Sequence, residues 1–169
     1  MKIKFKKEHP AAQLPQKTTE HAGGWDVTCT EIIQESPDFV TCKLGWSAEI
    51  PIGYKLTLVP RSSFTKYEWV LQNSPGLGDS DFRGEYMLKF RAIPVGIYSK
   101  ASTSTEYDYG KEYDVIKTEA FLEYPDFPYK VGERIAQVYI EEVIELEPEW
   151  DNKLTQTARA AEGFGSSGN

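Results

Sequence analysis

The residue types that could do chemistry are densest in Asn73-Ser74-Pro75-Gly76-Leu77-Gly78-Asp79-Ser80-Asp81-Phe82-Arg83-Gly84-Glu85. The proline and glycines favour a tight hairpin whose backbone amides and carbonyls can face the planar edge of a ligand. Asp79 is a carboxylate able to polarise a water, and Phe82, three residues on, supplies a flat apolar face. Together they suit a site that binds a nucleoside and activates water. The same residues also compose an acidic β-turn followed by a core phenylalanine, and the segment alone leaves both readings open.

Two further segments offer anion-binding chemistry. Pro60-Arg61-Ser62-Ser63 stands where a helix could begin, so free amides, hydroxyls and a guanidinium would form a phosphate cradle. Serine caps with a neighbouring arginine also occur without any ligand. Arg159 with Gly163-Phe164-Gly165-Ser166-Ser167-Gly168 carries similar ingredients: glycines for close backbone approach, serines to donate, and a charge. By composition alone this end is a flexible tail.

Composition narrows the remaining choices. The chain has 169 residues, enough for one domain with its own core. Hydrophobic residues make up 40%, with four Trp, ten Tyr and eight Phe, which excludes disorder over most of its length. A net charge of -7 argues against duplex DNA and anionic membranes as partners. His9 and His21 are the only histidines, so a Ser-His-Asp triad and a histidine-rich metal centre are set aside. Cys29 and Cys42 are too few for a disulfide framework and lack zinc spacing, which points to a reduced, cytoplasmic protein.

These groups must be positioned by short strands. Alternation or apolar runs mark 39–44, 46–50, 53–59, 85–92 and 134–140, with Pro51-Ile52-Gly53 as a turn. Many short strands at this spacing indicate an all-β sandwich or barrel. One short helix is predicted from Ser62-Ser63 through Trp69. Residues 93–128, rich in Tyr, Ser, Thr and Asp, read as a surface insertion with an exposed loop tip at Ala101–Gly110. From Pro148 onward the alternation is lost.

Ala22-Gly23-Gly24-Trp25-Asp26-Val27, Pro60–Ser63, Asn73–Glu85, Gly132-Glu133-Arg134-Ile135-Ala136-Gln137 and Arg159–Gly168 resemble, in order, the five motifs of the trimeric dUTPase family. The resemblance spans nearly the whole chain, and the insertion before the fourth motif is similar to an extra segment of some bacteriophage members. It implies a distorted jelly-roll β-barrel over residues 1–147 and a homotrimer with shared active sites. A C-terminal arm, 148–169, would close over the nucleotide. It implies hydrolysis of dUTP to dUMP and pyrophosphate, with Mg²⁺ held by substrate phosphates and water rather than by protein ligands, in the cytoplasm of a host if the chain is phage-encoded. Asp79 matches the carboxylate that activates the attacking water. Asn73 and the backbone of Gly76, Leu77 and Gly78 match the uracil-reading hairpin, and Phe82 the aromatic under deoxyribose. Ser62, Ser63 and Gln137 fall at the phosphate chain. Arg61 and Asp26 match a pair bracing the site. Arg159, Phe164, Gly165, Ser166 and Ser167 match the closing arm.

The chain departs from the family pattern at three places. Gly78 stands where a bulky aliphatic is usual, which would loosen the hairpin or alter the pocket floor and relax base selectivity. Ser63 replaces a glycine, and Ala160 and Glu162 stand where glycines are usual. The related dCTP deaminases are disfavoured because Lys89 occupies the position of their catalytic glutamate. An alternative of another class is a regulatory protein that binds a repressor through the Tyr-rich insertion.

Overall fold

The computed structural model describes residues 2–109, 111–158 and 160–161, apart from the side chains at 107, 108 and 113. Among the described residues twelve strands form, all paired antiparallel: β1 Lys4–Lys7, β2 Trp25–Thr28, β3 Glu31–Ser36, β4 Phe39–Lys43, β5 Trp46–Glu49, β6 Tyr54–Pro60, β7 Trp69–Leu71, β8 Gly76–Gly78, β9 Met87–Ala92, β10 Gly96–Asp108, β11 Lys111–Glu123 and β12 Arg134–Glu142. Two four-stranded sheets, in the orders β2-β12-β6-β8 and β3-β4-β9-β7, enclose one apolar core, and β1 pairs with β5. This is the all-β jelly-roll architecture expected from the sequence.

Strict alternation builds the walls. In β9, Leu88, Phe90 and Ala92 are buried while Met87, Lys89 and Arg91 face outward. Val40 and Cys42 of β4, Leu56 and Leu58 of β6, and Ile135 and Val138 of β12 complete the interior with Val27 and Trp46. Both cysteines are free and buried.

Two expectations are corrected. The predicted helix through Trp69 is a single 3₁₀ turn, Ser62–Lys66, preceded by an extended Arg61 that makes no side-chain cap. One turn suffices to bury Phe64, and the chain must then extend so that Trp69 and Leu71 can enter β7 beside β9. Of the loop tip expected at 101–110, residues 101–108 instead belong to a long hairpin, since β10 and β11 pair from Gly96↔Glu123 to Asp108↔Lys111. These strands pair only with each other, so neither face is buried and no alternation marks them in the sequence. Thr and Tyr nevertheless favour the extended chain.

From Val143 on, the described chain forms no strand, and Ile144, Leu146, Trp150 and Leu154 lie exposed. Among the described residues, no helix is long and apolar enough to cross a membrane. The expected clamp residues Arg159, Phe164, Gly165, Ser166 and Ser167, and the unusual Glu162, lie outside the described residues.

Candidate active site

Asp26 lies on β2 and is almost fully buried, although it is a carboxylate. Four side chains satisfy it. Thr18 Oγ1 donates to Oδ2 at 2.7 Å, Arg134 Nη1 to Oδ2 at 3.0 Å, Gln137 Nε2 to Oδ1 at 3.1 Å and Arg61 Nε to Oδ1 at 3.2 Å. Burial alone would raise its pKa, but the Thr18 and Gln137 hydrogen bonds and the Arg61 and Arg134 charges outweigh it, and the carboxyl is held below its usual range. The predicted Asp26–Arg61 pair is therefore present, within a larger network.

A β-bulge makes that network possible. Arg134 and Gln137 are three residues apart, a spacing that would put them on opposite faces of a regular strand. Between Arg134↔Thr28 and Ala136↔Val27 the register shifts, with two steps on β12 against one on β2. The extra residue brings both side chains to the same carboxylate. Arg61 follows the end of β6, the strand on the other side of β12, and its Nη1 also donates to the Arg134 carbonyl at 3.3 Å. Beside this cluster lies a polar groove of about 400 Å³ lined by Arg61, Ser63, Tyr67, Tyr129, Gly132, Glu133 and Arg134. Ser62 is exposed on the adjoining turn.

A second groove, about 360 Å³, follows the β8 hairpin and is lined by Leu58, Asn73, Pro75, Gly76, Leu77, Asp79, Phe82, Glu85, Tyr86 and Met87. Asn73 fixes its base: Nδ2 donates to the Met87 carbonyl at 3.1 Å and Oδ1 accepts from the Lys89 amide at 2.9 Å. Its side chain is thus engaged with β9, leaving the hairpin's own backbone to face a ligand. Gly76 packs against Leu58 of β6, where a Cβ would approach to 3.2 Å. Asp79 opens a turn closed by the Phe82 amide donating to its carbonyl at 3.2 Å. Its carboxylate is exposed at the groove, and among the described residues no side chain or backbone group donates to it. Phe82 is not a core residue: 41% of it is exposed, with its ring edge-on to Tyr86 at 5.2 Å.

The two grooves share no lining residue. One chain therefore gathers Asp26, Arg61, Ser63, Arg134 and Gln137 at one place and Asn73, Gly76, Leu77, Asp79 and Phe82 at another.

Over its length, the chain is similar to known proteins. A deoxyuridine 5'-triphosphate nucleotidohydrolase of Helicobacter pylori (strain Shi470) is 31% identical over 170 aligned positions, covering 99% of this chain and 97% of that protein. The chain belongs to the dUTPase family. No protein-family model matches the chain. Among solved structures, a dUTPase of Staphylococcus bacteriophage 80alpha (a mutant with dUpNHpp) is similar in fold, with a TM-score of 0.72 at 20% identity, covering 99% of each chain. A dUTPase mutant from phage phi11 of S. aureus, described as coordinating a structural Mg(II) ion, has a TM-score of 0.63 at 20% identity, covering 90% of this chain and 98% of that one.

Several residues around the two grooves are not apparent from the sequence. Thr18 and Arg134 both hold Asp26; Arg134 sits inside the fourth motif, yet only the bulge reveals where it points. Glu85 Oε1 accepts the Gly45 amide at 3.0 Å and ties the hairpin to the β4–β5 corner. Tyr86 was read only as a strand residue. It is 4% exposed, its hydroxyl is buried without a hydrogen-bond partner among the described residues, and burial together with the nearby Asp79 charge pushes its phenol above the usual range.

Proposed function

We propose that this chain hydrolyses dUTP to dUMP and pyrophosphate, with Asp79 as the base that activates water. The observation that carries the reading is the hairpin groove: an exposed carboxylate with free acceptor sites, a glycine-edged backbone beside it, and the open face of Phe82 three residues on. A uracil base fits against the backbone of residues 76–78, which excludes the thymine methyl group and mismatches cytosine's donors. Deoxyribose stacks over Phe82. Asp79 takes a proton from water as its oxygen attacks the α-phosphorus. The bond from that phosphorus to the bridging oxygen breaks, and pyrophosphate leaves with the electron pair.

The phosphate chain falls to the other cluster. Arg61, Ser62 and Ser63 present a guanidinium and hydroxyls at the polar groove. Gln137 spends one amide hydrogen on Asp26 and keeps the second for a phosphate oxygen. Arg159, Phe164, Gly165, Ser166 and Ser167 complete the closure as an arm over the nucleotide. Among the described residues, no three His, Cys, Asp or Glu side chains converge, a donor set that fits a Mg²⁺ carried by triphosphate oxygens and water. When bound there, Mg²⁺ supplies neutralisation of the charge developing on the phosphates.

One substrate must meet both grooves, and a single chain keeps them apart. A homotrimer with active sites shared between copies resolves this. The exposed Ile144, Leu146, Trp150 and Leu154 support such an assembly, as does an apolar groove of about 430 Å³ lined by Ile3, Phe5, Leu14, Pro15, Trp25, Leu56, Val138 and Ile140.

Pyrophosphate release from dUTP, dCTP, dTTP and UTP, with and without Mg²⁺, tests the reading. Asp79→Asn should fold and bind nucleotide yet lose at least about a hundredfold in rate. A fully active Asp79→Asn enzyme would overturn the mechanism, and release from several deoxynucleotides would overturn the selectivity.

A further inference from the structure

Among the described residues, the hairpin groove contains one buried polar atom without a partner, the Tyr86 hydroxyl, and it lies where the side chain of residue 78 would be. A Cβ built on Gly78 would sit 2.5 Å from Tyr86 Cε1 and 2.8 Å from Cζ, and nearer still to the hydroxyl oxygen. We propose that Tyr86 is a positioning residue for Asp79: its phenol fills, from β9's side, the space left by the missing side chain at 78, and props the backbone that carries the carboxylate. The proposal rests on the reading of Asp79 as the base.

Three observations support the prop. First, the ring is held independently of Gly78. The Tyr86 amide donates to the Trp46 carbonyl at 3.1 Å, the Leu44 amide donates to the Tyr86 carbonyl at 3.1 Å, and the ring lies 5.0 Å from that of Trp46. Second, β8 has little of its own to hold it. It is a three-residue edge strand, its last residue pairs with Leu56, and Asp79 follows immediately. An edge strand that ends on glycine seats no side chain in the core there, so what presses on it from below sets its height. Third, a buried hydroxyl that makes no hydrogen bond is unfavourable where it stands. Its presence is accounted for by filling, because the hydroxyl, with Cε1 and Cζ behind it, occupies the space a side chain at 78 would take. On this reading the glycine does not loosen the hairpin: a tyrosine just before β9, in the facing sheet, fills the space instead.

Four variants, measured for dUTP turnover, nucleotide binding and thermal midpoint on the full chain, test this. Tyr86→Phe removes the unpartnered hydroxyl, the atom nearest the side-chain position at 78, and keeps the ring. Its midpoint should equal or exceed that of the wild type while kcat falls about threefold or more at unchanged KM, since small misplacements of a reacting group are costly. A residue that merely fills the core would move both in the same direction. Tyr86→Val should lower kcat by about ten- to a hundredfold, and the double variant Gly78→Val/Tyr86→Val should recover most of it by filling the gap from β8. Gly78→Ala alone should lower both midpoint and rate, because the clamped ring cannot move aside.

Wild-type kcat in Tyr86→Phe or Tyr86→Val, an undisturbed Gly78→Ala protein, or a double variant no better than its worse parent would each overturn the proposal. If Tyr86→Val does not fold, the opposite signs expected of Tyr86→Phe still decide. A wild-type chain silent on dUTP would instead sink the reading of Asp79, while non-additive midpoints at residues 78 and 86 would still report the packing between them.

Discussion

Replacing Asp26 with asparagine removes one charge from a carboxylate that four side chains converge on, and the cost can be worked from its surroundings. Deleting one member of a fully buried ion pair costs about 3–5 kcal/mol. Here the Arg61 and Arg134 side chains keep 25% and 52% of their exposure, so water resolvates much of their charge and the ionic part shrinks to about 1 kcal/mol. The Thr18 and Gln137 bonds are to a charged acceptor, a class worth about 1.5–3 kcal/mol each, and asparagine keeps an acceptor for one side while turning an NH₂ toward the other. The sum, allowing for non-additivity, is a loss of about 2–3 kcal/mol. For a chain of this size that lowers the thermal midpoint by about 4–12 °C. The sign with pH follows from the depressed pKa. Asp26 contributes its full stabilisation above the ordinary aspartate value of about 3.9 and loses it as pH falls toward its own lower value. Melts of both proteins should therefore differ by a constant amount between about pH 5 and 8 and converge below about pH 4, where the other carboxylates cancel in the difference. Equal midpoints at pH 7, or a gap that does not close in acid, would refute the assignment of Asp26 as the charged hub.

Asn73→Ala should cost about 1–3 kcal/mol and raise KM for dUTP more than it lowers kcat, because both ends of its amide pin the hairpin to β9; a midpoint unchanged from wild type contradicts this. Replacing residues 99–120 by a short Gly-Ser turn should leave a folded barrel that still turns over dUTP, since β10 and β11 pair only with each other, and aggregation or loss of turnover would make the hairpin part of the enzyme's framework. Co-refolding Asp79→Asn with Arg61→Gln chains should restore turnover that neither variant has alone, because a shared site can take its hairpin from one copy and its phosphate cluster from another. Failure of mixed assemblies to regain activity would place both halves within one chain.

The sequence made some elements legible and hid others for physical reasons. Leu88, Phe90 and Ala92 alternate because one face of β9 meets the core, and that period is visible directly. The hairpin β10–β11 buries neither face, so Ser, Thr and Tyr there look like loop composition. The helix expectation failed because a serine-led, proline-free stretch satisfies local preference, whereas burying Phe64 and then Trp69 needs a 3₁₀ turn followed by a strand. In the site, the Asp26–Arg61 pair followed from the ordered motifs. Arg134 did not, since its direction depends on a bulge at Arg134/Ala136 that alternation rules miss. Gly78 and Tyr86 were each visible, but their complementarity in size joins two strands, and neither residue alone announces it.

Two aspartates of similar intrinsic acidity occupy opposite environments in this fold, and that contrast separates what each can do. Asp26 is buried and saturated by Thr18, Gln137 and two guanidiniums, so its lone pairs are spent and a proton on it would break the network. It fixes the mutual positions of Arg61, Arg134 and Gln137 beside the polar groove. Asp79 stands at the end of an edge strand with no donor on its carboxylate among the described residues, so it can bind a water and receive its proton. Exchanging the two environments would leave a base that cannot accept and a hub that cannot hold. Strand β6 links them: its Leu56 pairs with Gly78, the residue before Asp79, and Arg61 follows its last residue, Pro60, so one element helps set where both carboxylates stand.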